Sequence, residues 1–160
     1  MRTKLIIAVL VVAALAAAGV VVALGLVDSA SGEVSVPIQA RNADDLGAVH
    51  IELGYDANVL TPVDVKAGAL SGDAMMEYDT GTPGWVVISV VDSTGMSGDG
   101  SLAVVEFEVT GDGGGSSPLT LDNIEAWDAT NVFDIPVQLT PGSYTSSGNS
   151  VEAPFLTFGG

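Results

Sequence analysis

The chain has 160 residues, enough for one ordinary domain plus a targeting segment, and 20 Asp and Glu stand against four Lys and Arg. With no Cys at all, a disulfide framework, thiolate metal sites, a Cys nucleophile and lipidation on Cys are excluded. The acidity repels phosphate backbones and excludes nucleic acid as a partner, and the Gly-, Val-, Thr- and Asp-rich composition suits short strands joined by turns.

Leu5–Val27 carries no charge and no Pro, and Arg2 and Lys4 precede it. Its 23 residues are long enough to span a bilayer as a hydrophobic helix, an uncleaved signal anchor. Alternatively, Met1–Lys4 and Leu5–Leu15 open a signal peptide, Ala16–Ala18 forms a small-residue cleavage site, and Gly19 starts the mature chain. On that reading Gly19–Val27, rich in β-branched residues, is free to serve as a strand. Both readings place the rest of the chain outside the cytoplasm, at the cell surface or secreted. Beyond the apolar run only Arg41 and Lys66 are basic, so an acidic surface is expected throughout.

Val34–Ala40 alternates apolar with polar residues, as a half-buried strand does, and Pro37 places it near an edge or a bulge. Asn42–Asp45 reads as a polar turn. Val49, Ile51, Leu53 and Tyr55 then alternate with Ala48, His50, Glu52 and Gly54 in a second strand. After a turn closed by Leu60, strand resumes at Val63 and Val65. Met75–Asp79 and Trp85–Val91 flank the hairpin loop 80–84. Asp92–Gly100 reads as a long loop, and Leu102–Val109 as another strand. Past the Gly-rich stretch 111–117, strands are expected at Leu119–Leu121, Val132–Thr140 and Gly142–Thr145. The division is a leader over 1–30, a β-sandwich over 31–146 and a C-terminal tail over 147–160, with Phe155 and Phe158 exposed.

Three stretches in order resemble the cohesin family of extracellular domains. The first runs from Leu46-Gly47-Ala48 to Tyr55-Asp56, then Asn58-Val59-Leu60 and Ala67–Leu70. The second is Val87–Val91 with Ser97–Ala103, Val105 and Phe107, and the third is Leu119–Leu121, Asp134–Val137 and Gly142-Ser143. The resemblance implies an all-β jelly-roll sandwich of about nine strands. It also implies a non-catalytic role in binding a protein partner, dockerin-type or other, through one sheet face. If Val49, Ile51 and Leu53 point inward, that face carries Ala48, His50, Glu52, Ser89 and Val91. The strand that opens family members has no counterpart here other than Gly19–Val27.

Other chemistry is weighed against these readings. His50 is the sole His, and no G-x-S-x-G turn offers it a nucleophile. Glu106 and Glu108 read as a solvated sheet surface rather than a glycosidase pair. Loop residues Asp92, Asp99, Asp122, Asp128, Asn131 and Asp134 suit turns, with calcium binding as the alternative. Trp85 and Trp127 read as packing residues, with polysaccharide stacking as the alternative. A structural subunit assembling by strand addition, with Phe155–Phe158 as donor, is the second class of function.

Overall fold

A computed structural model describes residues 32–110 and 115–159. The expected N-terminal hydrophobic helix and its cleavage site lie outside the described residues, as does Gly19–Val27. Nine strands occur among those described: β1 (Glu33–Gly54), β2 (Leu60–Ala67), β3 (Met75–Asp79), β4 (Trp85–Val109), β5 (Ser116–Asp128), β6 (Val137–Thr140), β7 (Gly142–Thr145), β8 (Ser150–Glu152) and β9 (Phe155–Phe158). No described helix is long and apolar enough to cross a membrane.

β1 and β4 are 22 and 25 residues long, several times an ordinary strand, and they pair antiparallel along their whole length. The expected turn at Asn42–Asp45 and the expected loop at Asp92–Gly100 are the facing middles of this ribbon. Register slips between Ala40 and Ala43, Ala43 and Leu46, and Leu46 and Ala48. Asn42, Asp45, Gly95 and Gly98 supply the positive φ angles there, 55°, 52°, 81° and 112°. Turn-forming residues on both strands thus bend the ribbon without ending it, as bulges do at the corners of sandwiches.

The two halves of the ribbon recruit different neighbours. Trp85–Val91 and Ala48–Gly54 form one four-stranded surface with β3 outside β4 and β5 outside β1. Glu33–Arg41 and Ala103–Val109 take β2 on one side and β9 on the other, with β6 beyond β9. The start of β5 pairs instead with β7, and β7 with β8. Val36, Ile38, Ile51, Leu53, Val86, Ile88, Val105 and Phe107 are all buried in the core. The Tyr55 ring meets the Phe107 ring edge to face, centroids 5.1 Å apart, joining the two halves.

The C-terminal segment departs from expectation. Residues 150–158 are strands of the domain rather than a tail. Leu156 and Phe158 are buried, and Phe155 is half-buried under the Arg41 guanidinium, 3.9 Å from its ring centre. Pro154 breaks the turn from β8, and its carbonyl accepts the Gln39 N–H. β9 then lies parallel to Gln39–Arg41 and antiparallel to β6. The expected donor strand therefore pairs within its own chain. Val132–Ile135 is not strand either. Val132 has a φ of 58°, which an extended strand does not accommodate.

Candidate functional site

Strand alternation sets the site. With Val49, Ile51 and Leu53 buried, Ala48, His50 and Glu52 face outward, and antiparallel pairing carries that parity across the sheet. Three lateral rows result. Trp127, Ala48, Val91 and Met75 form an apolar row, with Val91 50% and Met75 76% exposed. Glu125, His50, Ser89 and Glu77 form the middle row, and Asp122, Glu52, Val87 and Asp79 the third. The five residues expected on one face do share it. His50 and Ser89 are half-buried there rather than fully exposed, because four strands of side chains crowd them.

Hydrogen bonds organise the centre. Ser89 Oγ lies 3.2 Å from His50 Nδ1, His50 Nε2 lies 3.6 Å from Glu52 Oε1, and Asn123 Nδ2 donates to Glu52 Oε1 at 2.9 Å. Asn123 reaches Glu52 because a bulge at its φ of 47° displaces it from the regular ladder. A shallow cavity of about 300 Å³ opens between His50, Ser89, Val91, Glu125 and Trp127.

A serine, a histidine and a glutamate in line invite comparison with a hydrolytic triad, but the setting differs. Ser89 sits mid-strand, paired to His50 on one side and Glu77 on the other. Its backbone N–H is committed to the ladder and cannot point at a developing oxyanion. The array orients side chains on a flat surface, which suits recognition.

The face is also electrically one-sided. Its rows hold Glu52, Glu77, Asp79, Asp122 and Glu125 and no Lys or Arg. Arg41 stacks on Phe155, and Lys66 lies 3.6 Å from Glu106 on the far surface. Ser35 donates to Glu106 there, so that carboxylate serves the sheet surface, as expected.

Of the aspartates expected in loops, Asp122 lies within β5, and Asp92, Asp99 and Asp128 are occupied locally. Asp92 accepts the hydroxyl and N–H of Thr94, bonds that hold its carboxyl below the usual carboxylate range. Asp128 is likewise lowered, chiefly by the Asn131 N–H, and it also accepts the Phe133 N–H. Asp99 accepts the Asn42 N–H. Among the described residues no three His, Asp or Glu are grouped to hold a metal ion. Trp85 lies beside Gly54, where a Cβ would approach its ring within 3.1 Å. Trp127 instead belongs to the exposed face.

Sequence reasoning missed the flanking contributions of Met75, Glu77, Asp79, Asp122, Glu125 and Trp127. The strand at Met75–Asp79 was legible, but the strand expected over Leu119–Leu121 runs on to Asp128, and which strands lie beside β1 and β4 was not legible.

A family model described as Cohesin domain matches residues 20–145. No curated protein matches the chain. Among solved structures, it is similar to a non-cellulosomal cohesin from the hyperthermophilic archaeon Archaeoglobus fulgidus, with 30% identity over 80% of each chain and a TM-score of 0.57. It is similar in fold to CaCohA2 of Clostridium acetobutylicum, solved in complex with CaDoc0917, at 22% identity over 81% of this chain and 91% of that one, TM-score 0.59. A cohesin from a type I cohesin–dockerin complex of Clostridium thermocellum shares 13% identity over 80% of this chain and 89% of that one, TM-score 0.59.

Proposed function

The chain belongs to the cohesin domain family, and on that premise we propose that it is a non-catalytic module that holds a protein partner on the outer face of β5, β1, β4 and β3. The observation that carries this reading is the pairing, on one face, of an exposed apolar row with five carboxylates and no cation. Apolar area supplies affinity at the centre of an interface, and charge supplies orientation and association rate. The partner should therefore bring apolar side chains flanked by Lys or Arg. A dockerin module has been solved with related cohesins and is the first candidate.

Titration of the purified protein with a panel of dockerin modules tests this. One-to-one binding is expected for at least one of them, with association slowing steeply between low and physiological salt as exposed charges are screened. Absence of binding across the panel would remove the dockerin assignment. Binding indifferent to salt would remove the electrostatic part.

We also propose that the domain works outside the cytoplasm, with its N-terminal apolar run acting in export. The family match begins at residue 20, inside that run. This supports the processed reading, because the domain then claims Val20–Val27 and leaves Leu5–Gly19, short of the roughly 20 residues a span requires. Intact-mass measurement of the protein in its host should find an N-terminus at or near Gly19. An intact Met1 in membrane fractions would establish the anchor instead, and recovery from the cytosol would overturn export altogether.

A further inference from the structure

We propose that Val132 and Phe133 form an apolar tip that extends the binding face beyond Trp127 and anchors the same protein partner in an apolar cleft rimmed by Lys or Arg. The inference rests on the docking reading above and adds to it a specificity element on a different segment. Val132 is 71% exposed and Phe133 68%, two adjacent large apolar side chains that contribute nothing to the core. Val132 also has a φ of 58°, a conformation that a β-branched residue adopts only under constraint.

The constraint is visible. The Asp128 carboxylate accepts the N–H groups of Asn131 and Phe133, and the Asp128 N–H donates to the Phe133 carbonyl at 3.0 Å. Asp45 clamps the other limb. Its carboxylate accepts the Thr130 hydroxyl at 2.6 Å, and its carbonyl accepts the Ala129 N–H at 2.7 Å. Gly47 permits this closeness, since a Cβ there would lie 2.5 Å from Ala129 Cα. The tip is thus built and held before any partner arrives, which lowers the ordering cost of binding.

Position and charge identify the occupant. Asp134 bridges to Trp127, the end of the apolar row, so the segment that carries Val132 and Phe133 runs beside that end, at the rim of the face. Asp128 and Asp134 flank it, and the face beside it is acidic. A second copy of this chain or an anionic lipid surface would be repelled. A basic protein surface with an apolar cleft fits both features.

The natural partner is not required for the test. A phage-displayed library of three-helix miniproteins, unbiased in composition, is selected on the purified protein, and the binders are titrated against Phe133→Ser, Val132→Gly and Ser89→Arg. Most binders should carry Lys and Arg around an apolar cleft and lose about tenfold or more in affinity on Phe133→Ser. The melting temperature should be unchanged by Phe133→Ser and raised by Val132→Gly, which relieves the backbone. Binders lost on Ser89→Arg but indifferent to Phe133→Ser would overturn the tip and leave the face standing. The reverse pattern would remove the face and, with it, the proposal that the tip extends it. A fall in melting temperature on Phe133→Ser would make the residue structural and overturn the proposal. So would Phe133-dependent sedimentation with zwitterionic vesicles, which would assign the tip to lipid.

Discussion

Phe107→Ala should destabilise the domain by about 3–5 kcal/mol, read as a lower urea midpoint with an unchanged slope. Phe107 is fully buried, and in the ladder it lies between Val34 of β1 and Pro62 of β2. Its ring is also the edge-to-face partner of Tyr55, at 5.1 Å and 61°. Truncation removes the transfer free energy of the ring, leaves a cavity in a close-packed interior and strands the Tyr55 face. Domains of this size are stable by roughly 5–15 kcal/mol, so the variant should approach unfolding at 37 °C. Phe107→Leu, which refills most of the volume, should cost no more than about half as much. A loss below about 1 kcal/mol for the Ala variant would mean that the two halves of the β1–β4 ribbon do not share this core.

Ser89→Arg should weaken partner binding by at least about a hundredfold, near 2.7 kcal/mol, while the melting temperature stays close to that of the unaltered protein. Ser89 lies in the middle row of the face, between His50 and Glu77. A long guanidinium there covers the shallow cavity and presents positive charge to the basic rim expected of the partner. The fold should accept it. The side chain points outward, Glu77 and Glu125 stand in the same row to receive the charge, and the lost bond to His50 contributes about 1 kcal/mol or less. Titration and thermal melting on the same preparation separate the outcomes. Unaltered affinity would move the partner to another surface, and loss of folding would mean that Ser89 packs inward and the face is drawn from the wrong parity.

Much of this was legible in the sequence because a strand's side chains alternate with a period of two, a property read over a few neighbouring residues. Val49, Ile51 and Leu53 against Ala48, His50 and Glu52 define an inward and an outward set without any partner strand being known. The same holds for Val86, Ile88 and Val90 against Val87, Ser89 and Val91. Acidity, the absence of Cys and the ordered cohesin-like motifs were equally local facts.

Other features are long-range and left no such mark. Asn42–Asp45 and Asp92–Gly100 have the composition of turns, and only their pairing with one another shows that they bend a ribbon instead of ending it. Phe155–Phe158 is a short apolar run between Pro154 and Gly159. Its burial depends on β1, far away near the start of the domain, and on β6, a closer but still separate segment. The third and fourth strands of the proposed binding face, β3 and β5, are chosen by β-sheet hydrogen bonding between distant segments, so Met75, Glu125 and Trp127 joined Ala48 and His50 only in three dimensions. Val132 and Phe133 read as strand because their side chains favour strands. Tertiary structure overrode that preference, since the Asp128 carboxylate takes up the Phe133 N–H, and Asp128 and Asp45 hold Asn131 and Thr130 just before it in a loop.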